Sequence, residues 1–310
     1  MKHSTTRSRA DVPTPLVTIA IPTYNRPSLL RRAIRCAVEQ DYSRLEILIS
    51  DNSSDNDASD DVVSEFMETD PRIFYYKQDK TTKSIANFLF LLDKATGKYF
   101  MWLGDDDSIS TNFVSALVAL HQSQNSLSCA WASHRIYAKT GEVKNRLVEY
   151  SSNNRIARAF HYILRPEDAF IYGLFETDYL RSVRWRWWSW PNKDIMTNLA
   201  HPVLFEMVCL GRVVASRNST VLYDCGCNNR VYYKGRVDGR IKGNICYAIR
   251  RLNFYFEFLR RAMFRQWWGV SLLVISMFPF AFMRDIGGLV YAHFTAHLGR
   301  IKNKYYARIM

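Results

Sequence analysis

Short apolar, β-branched runs alternate with amphipathic stretches through the first hundred positions. LVTIAIP (16–22), LEILIS (45–50), IFYY (73–76) and KYFMWLG (98–104) each end in polar residues, a pattern that predicts four strands. Between the first two, LLRRAIRCAV places Leu29, Leu30, Ala33, Ile34, Ala37 and Val38 on one helical face, with Ser28 available as a cap. Val62, Val63, Phe66 and Met67 predict a second helix, and Ile85, Phe88, Leu89 and Leu92 a third. Such regular alternation argues for an α/β fold with a mostly parallel sheet flanked by helices.

The alternation loosens further on. STNFVSALVALHQ (110–122) predicts a helix, CAWASHRIYA (129–138) a strand, and LFEMVCLGRVVAS (204–216) a helix, a glycine stop and a strand. Residues 244–265 predict a helix rich in Phe, Tyr and Arg. Residues 267–283 form a 17-residue apolar stretch between Arg265 and Arg284 that contains Pro279. That length is the lower limit for crossing a bilayer, and an interfacial, membrane-dipping or buried helix suits it as well. The expected organisation is a flexible tail (1–15), one half-domain (16–115), a second (116–230) and a basic, aromatic helical segment that associates with a membrane (231–310).

A chain of 310 residues with 48% hydrophobic residues can bury a large core, which excludes a disordered protein. The net charge is +13, and residues 230–310 carry 15 Lys and Arg against Asp238, Glu257 and Asp285, which accounts for 12 of those charges. A bias confined to one segment is a partner signal for that segment. Its Phe, Trp and Leu content favours an anionic membrane surface over nucleic acid. The first residues, MKHSTTRSRADVPTP, lack the apolar core of a secretory signal. The six cysteines are scattered, with only the CGC of 225–227 closely spaced, and are read as reduced thiols. These features lead to an expected cytoplasmic protein, held peripherally at the inner face of the plasma membrane through 231–310.

No glycine precedes Gly97. A dinucleotide fold or a P-loop needs glycines after its first strand so that backbone N–H groups can approach phosphate, so both are poor readings of this chain. Polar clusters stand at strand ends instead: PTYNR (22–26), DNSSD (51–55) and GDDD (104–107). In a parallel sheet these ends share one edge, where ligands bind. A carboxylate such as Asp51, beside Asn52, can accept an N–H from a nucleotide base, and Tyr24 can stack on it. Asp105, Asp106 and Asp107 together need a cation or basic partners, and Mg2+ or Mn2+ held beside a diphosphate fits that need.

VTIAIPTYNRPSLLRRAI, LEILISDNSSD, KSIANF and YFMWLGDDDSIS, in this order and spacing, resemble the family 2 glycosyltransferases over residues 16–115. The resemblance implies a GT-A fold and an inverting transfer from a nucleotide-diphosphate sugar to a hydroxyl acceptor. It makes Pro22, Thr23, Tyr24 and Arg26 the first nucleotide loop and Asp51 the base-recognising residue, with Asn52 beside it. Lys83 and Asn87 would flank the nucleotide, as would Asp105. The family's acidic motif falls on GDDD, with Gly104 where an aspartate commonly stands, which leaves Asp106 and Asp107 as metal ligands for Mn2+ or Mg2+. The resemblance also asks for a downstream base: Asp194, 17 residues before Gly211, or Glu206 in reserve. A lipid-linked glycan precursor of bacterial surface polysaccharide is the acceptor it suggests.

In VRWRWWSWP (183–191), Val183, Trp185 and Trp187 share one face of an extended chain, with Trp188 on the other. Trp185, Trp187 and Trp188 are candidates for the acceptor sugar, and packing on the sheet is the competing use. Two other functions remain open on sequence grounds. A sugar-nucleotide pyrophosphorylase would want a glycine-rich loop after the first strand, which PTYNR lacks. A non-catalytic nucleotide-binding scaffold at a membrane would bind without turnover.

Overall fold

The structure, a computed structural model, describes residues 14–52, 57–137, 143–183, 185, 200–223, 241–284 and 287. Four strands come first: β1 (Val17–Thr23), β2 (Leu45–Asp51), β3 (Ile73–Lys77) and β4 (Tyr99–Trp102). They pair in parallel in the order β3-β2-β1-β4. The alternation of Val17, Ile19 and Ile21 with Thr18 and Ala20 buries both faces, because helices cover the sheet on both sides. One side is closed by α1 (Pro27–Val38), α2 (Ala58–Met67) and α4 (Phe113–Ser123), through Leu30, Ala33, Ile34, Val62, Val63, Phe113 and Leu117. The other is closed by α3 (Ser84–Lys94), α5 (Arg155–Leu164) and α7 (Ala200–Leu210).

Beyond β4 the sheet turns mixed. The order continues β4-β8-β6-β9-β5, with β5 (Asp107–Ile109), β6 (Leu127–Tyr137), β7 (Val143–Arg146), β8 (Leu174–Glu176) and β9 (Arg212–Tyr223). β8 is antiparallel to both β4 and β6, β9 runs parallel to β6, and β5 is antiparallel to β9. The expectation of a mostly parallel sheet holds for β1–β4 and again for the β6–β9 pair, since β8, antiparallel to both β4 and β6, leaves those two strands running the same way. Antiparallel insertion of β8 needs no crossover helix, which is why the βαβ rhythm fades after residue 115.

The second and third expected helices form as α2 and α3, with burial that differs in detail, and the expected cap of α1 is corrected. α1 starts at Pro27, a residue whose fixed φ and missing N–H suit a first helical position, so Ser28 lies inside the helix and caps nothing. Met67 is exposed at the end of α2. In α3 the buried face is Asn87, Leu91 and Leu92, with Ile85, Phe88 and Leu89 only half-buried.

The C-terminal helices belong to the core. α8 (Ile241–Phe264) follows β9 in the sheet's helical cover, and α9 spans 268–284 without a break at Pro279. A short α6 (Thr177–Ser182) precedes α7. Phe258 of α8 stacks on Phe205 of α7 at 4.3 Å, and Tyr255 meets Phe278 of α9 edge-on at 5.6 Å. Val270, Val274 and Ala281 are buried in the same cluster as Phe100 and Trp102. Among the described residues no helix is long and apolar enough to cross a membrane.

Candidate active site

The carboxyl ends of β1, β2 and β4 meet at one edge. β1 pairs with β4 only as far as Ala20–Trp102, but with β2 as far as Thr23–Asp51. Pro22 therefore lies where β1 has outrun β4, an edge-like position that tolerates a missing N–H. The chain then reverses through Tyr24, which is 49% exposed, and Asn25, whose φ of 53° is left-handed. Asparagine is among the few side chains that adopt that conformation readily.

The reversal brings Arg26 to the acidic cluster. Its Nη1 donates to Asp105 at 3.0 Å and to Asp106 at 3.3 Å, while the Thr23 hydroxyl donates to Asp105 at 2.9 Å. Burial of Asp105 pushes its carboxyl up from the ordinary range, against the pull of Thr23 and Arg26. Burial works the other way on Arg26, yet Asp105 and Asp106 hold its guanidinium above the usual value. Both shifts are upward because Asp105 is much the more deeply buried partner. Arg32 adds a donor to the backbone carbonyl of Asp106. Its neighbour Arg31 pairs with exposed Glu65 instead, so the doubled arginine of α1 gave no sign of which would reach the site.

Asp107 begins β5 and is paired in register with Tyr223. A Cβ added at Gly104 would lie 2.7 Å from Asp107 Oδ2 and 3.1 Å from Asp106 Oδ1. Gly104 is thus the floor under two converging carboxylates, and an aspartate in its place would fill the space they occupy. The donor set is hard oxygen, which suits Mg2+ or Mn2+. Among the described residues no three His, Cys, Asp or Glu side chains converge as a ready-made metal site. Two carboxylates fit a cation that draws its other ligands from water and substrate phosphate.

Asp51 is fully buried at the end of β2, with the Tyr75 hydroxyl 3.4 Å away. Tyr75 donates more closely to Asp60, at 2.6 Å, and Lys77 pairs with Asp60 and Asp57. Burial, reinforced by these carboxylates, raises the Tyr75 pKa and keeps it a donor. Lys83 is exposed just before α3, on the same edge.

Several expected ligands have other work. Asn52 accepts from the Thr82 N–H at 2.8 Å and donates to the Thr82 carbonyl at 2.9 Å, so its amide holds the loop before α3. Asn87 is buried, donating to the Ser50 carbonyl at 3.0 Å and accepting from the Ser50 hydroxyl, which braces the end of β2 against α3. Glu206 is 1% exposed on α7, and Arg265 donates to it at 2.8 Å while fully buried Arg261 pairs with its other oxygen. A carboxylate sealed in that pairing cannot take a proton from an acceptor, and Glu206 is set aside as the base. Trp185 donates to the Leu180 carbonyl at 3.1 Å and meets Trp102 edge-on at 5.5 Å, so the packing alternative describes it. Asp194, Trp187 and Trp188 lie outside the described residues.

The family model for glycosyl transferase family 2 matches residues 18–192. Among curated proteins, the chain is 34% identical over 105 residues to GalNAc(5)-diNAcBac-PP-undecaprenol beta-1,3-glucosyltransferase of Campylobacter jejuni, covering 34% of each chain. It is 32% identical over 131 residues to the putative colanic acid biosynthesis glycosyl transferase WcaA of Escherichia coli, covering 42% of this chain and 45% of that one. The chain therefore spans less than half the length of these curated relatives. Among solved structures, the mannosyltransferase PcManGT from Pyrobaculum calidifontis, in complex with GDP-Man and Mn2+, superposes with a TM-score of 0.54 at 14% identity, over 94% of this chain and 80% of that one. S. aureus TarS 1-349 gives the same score at 12% identity, over 89% and 80%. These likenesses identify the fold as GT-A. With more than half of its residues matched by one family model and the three polar clusters gathered at one sheet edge, the chain belongs to glycosyl transferase family 2.

Proposed function

We propose that the chain transfers a sugar from a nucleotide-diphosphate sugar to a hydroxyl acceptor with inversion. The observation that carries this reading is the convergence of Thr23, Arg26, Asp105 and Asp106 beside Asp51 at the carboxyl edge of the parallel strands. Asp51 accepts from the base, exposed Tyr24 stacks on it, and Arg26 and Lys83 offset the diphosphate charge. Asp106 and Asp107 are the residues that would hold Mg2+ or Mn2+, which supplies positive charge to the departing diphosphate. Asp194 takes the proton of the acceptor hydroxyl as the new C–O bond forms and the sugar–phosphate bond breaks. The activities for which the two relatives are named point to a lipid-linked or polysaccharide precursor as acceptor.

Calorimetry of the purified protein with UDP, GDP, CDP and dTDP, each with Mn2+, Mg2+ or chelator, tests the donor half of this reading. Metal-dependent binding of one diphosphate is expected, and its loss in Asp106→Ala with the fold intact. No binding of any diphosphate by folded protein overturns it. Binding without turnover across a wide acceptor panel would favour the scaffold.

A further inference from the structure

α9 presents Trp268, Leu272, Ile275, Phe280 and Met283 to solvent, at exposures from 56% to 71%. Their spacing winds them onto one broad stripe, and no charged residue occurs between Arg265 and Arg284. α5 carries a second stripe at i, i+4 and i+8: Ile156, Phe160 and Leu164, each 40% exposed or more. The helices lie side by side. A Cβ at Gly269 would touch Ile156 Cδ1, and Arg284 donates to the Ile163 and Leu164 carbonyls, so α9 runs alongside α5 between residues 269 and 284.

Cations border this surface. The Arg155 guanidinium lies 4.8 Å over the Trp267 ring, Arg165 is exposed at the end of α5, and Arg284 follows Met283 beyond the apolar stripe. Further along the chain stand Arg300, Lys302, Lys304 and Arg308. An uncharged apolar face with tryptophans at one end and arginines around it is matched chemically by the interface of an anionic bilayer. Among the described residues no helix is long and apolar enough to cross a membrane, and a stripe along one side of α9 suits a helix lying along the interface.

We infer that α5 and α9 together form one platform that seats the protein on an anionic lipid surface. The platform therefore includes a helix from the middle of the chain, which distinguishes it from attachment by the C-terminal segment alone. The inference rests on the sugar-transfer reading only for its purpose, which is to bring the site to a lipid-borne acceptor.

Vesicle sedimentation of the full chain, without substrates, tests it with phosphatidylcholine alone and with added phosphatidylglycerol. Binding to the anionic vesicles is expected, weakened by salt and by Arg165→Gln. Leu272→Glu and Phe160→Glu should each weaken it roughly tenfold or more, since each places a charge in the buried face. Circular dichroism checks that the variants fold. Phe160→Glu binding as well as the unaltered protein would overturn the two-helix platform. Self-association abolished by Leu272→Glu, with no vesicle binding, would assign the face to a second copy and overturn the lipid assignment. Because binding is read without sugar transfer, a failure of the enzymatic reading leaves these results interpretable.

Discussion

Arg26 bridges Asp105 and Asp106 from a single nitrogen, at 3.0 and 3.3 Å. The positive charge thus already sits between two carboxylates of the acidic cluster before any ligand arrives. Replacing it with alanine leaves the buried Asp105 beside Asp106 with less compensation, which moves the Asp105 carboxyl further up. The half-exposed pair contributes little to stability, about 1 kcal/mol or less, so Arg26→Ala should melt near the unaltered protein. Diphosphate affinity by calorimetry should fall roughly tenfold or more, the loss expected for a charge-assisted contact.

A side chain at Gly104 should be tolerated by the fold but not by the pair of carboxylates above it. The Cβ of Gly104→Ala would sit 2.7 Å from Asp107 Oδ2, so the carboxylates must move apart. The expected result is a protein that melts within about 1–3 kcal/mol of the original, as for other overpacked sites, but needs much more Mn2+ or Mg2+ to bind diphosphate. A metal titration unchanged by the substitution would remove Asp106 and Asp107 from the metal site.

Glu206 and Asp194 should separate in behaviour. Glu206→Gln leaves Arg261, itself 1% exposed, without its closest carboxylate, a loss of about 3–5 kcal/mol if the buried pair behaves typically. Urea denaturation reads that loss, while diphosphate affinity of the folded protein stays unchanged. Asp194→Asn should melt normally, bind diphosphate normally and lose sugar transfer by a factor of roughly a hundred or more. Full transfer in that variant would send the search for the base elsewhere.

His121 predicts an acid limit to stability. It stacks on Tyr99 at 4.5 Å, and its Nε2 lies 2.9 Å from the Leu174 carbonyl, so that nitrogen carries the proton. Burial, aided by Lys98, pushes its pKa down to about 4. Unfolding restores an ordinary pKa near 6.5, so between those values the unfolded chain binds the extra proton. Stability is then full above pH 6.5 and falls as pH drops toward 4, by about 3 kcal/mol in total. His121→Phe should flatten that limb in denaturation curves taken across the window, after a loss of about 1 kcal/mol at neutral pH for the unpaired carbonyl.

The sequence was most readable where one physical rule acts alone. Strands β1, β2 and β4 are buried on both faces, so they read as apolar runs, and their polar ends marked the site edge. β8 was unreadable because Leu174–Glu176 is three residues long and owes its place to pairing with β4 and β6. Within the site, residue type located the chemistry but not each partner. Thr23, Arg26 and the aspartates fell together because short strand ends leave few places for them. Asn52 looked like a ligand from its place at the end of β2 and Asn87 from the match of KSIANF to the family's pattern, yet amides that face strand-end carbonyls are also what the backbone recruits for its own hydrogen bonds. Glu206 lies on a helix buried almost all round, where nothing in the local pattern announces arginines arriving from residues 261 and 265.

The stacking of Phe258 on Phe205 bears on how the chain can be shortened. A gene cut after codon 240 would seem to remove a greasy, basic appendage and leave a tidier protein. It would instead strip α7 of its cover, expose Phe205 and Met207, and leave Glu206 as a bare anion in an apolar wall. The product should collect in inclusion bodies. Any cut has to leave Phe258 on Phe205 and Phe278 against Tyr255.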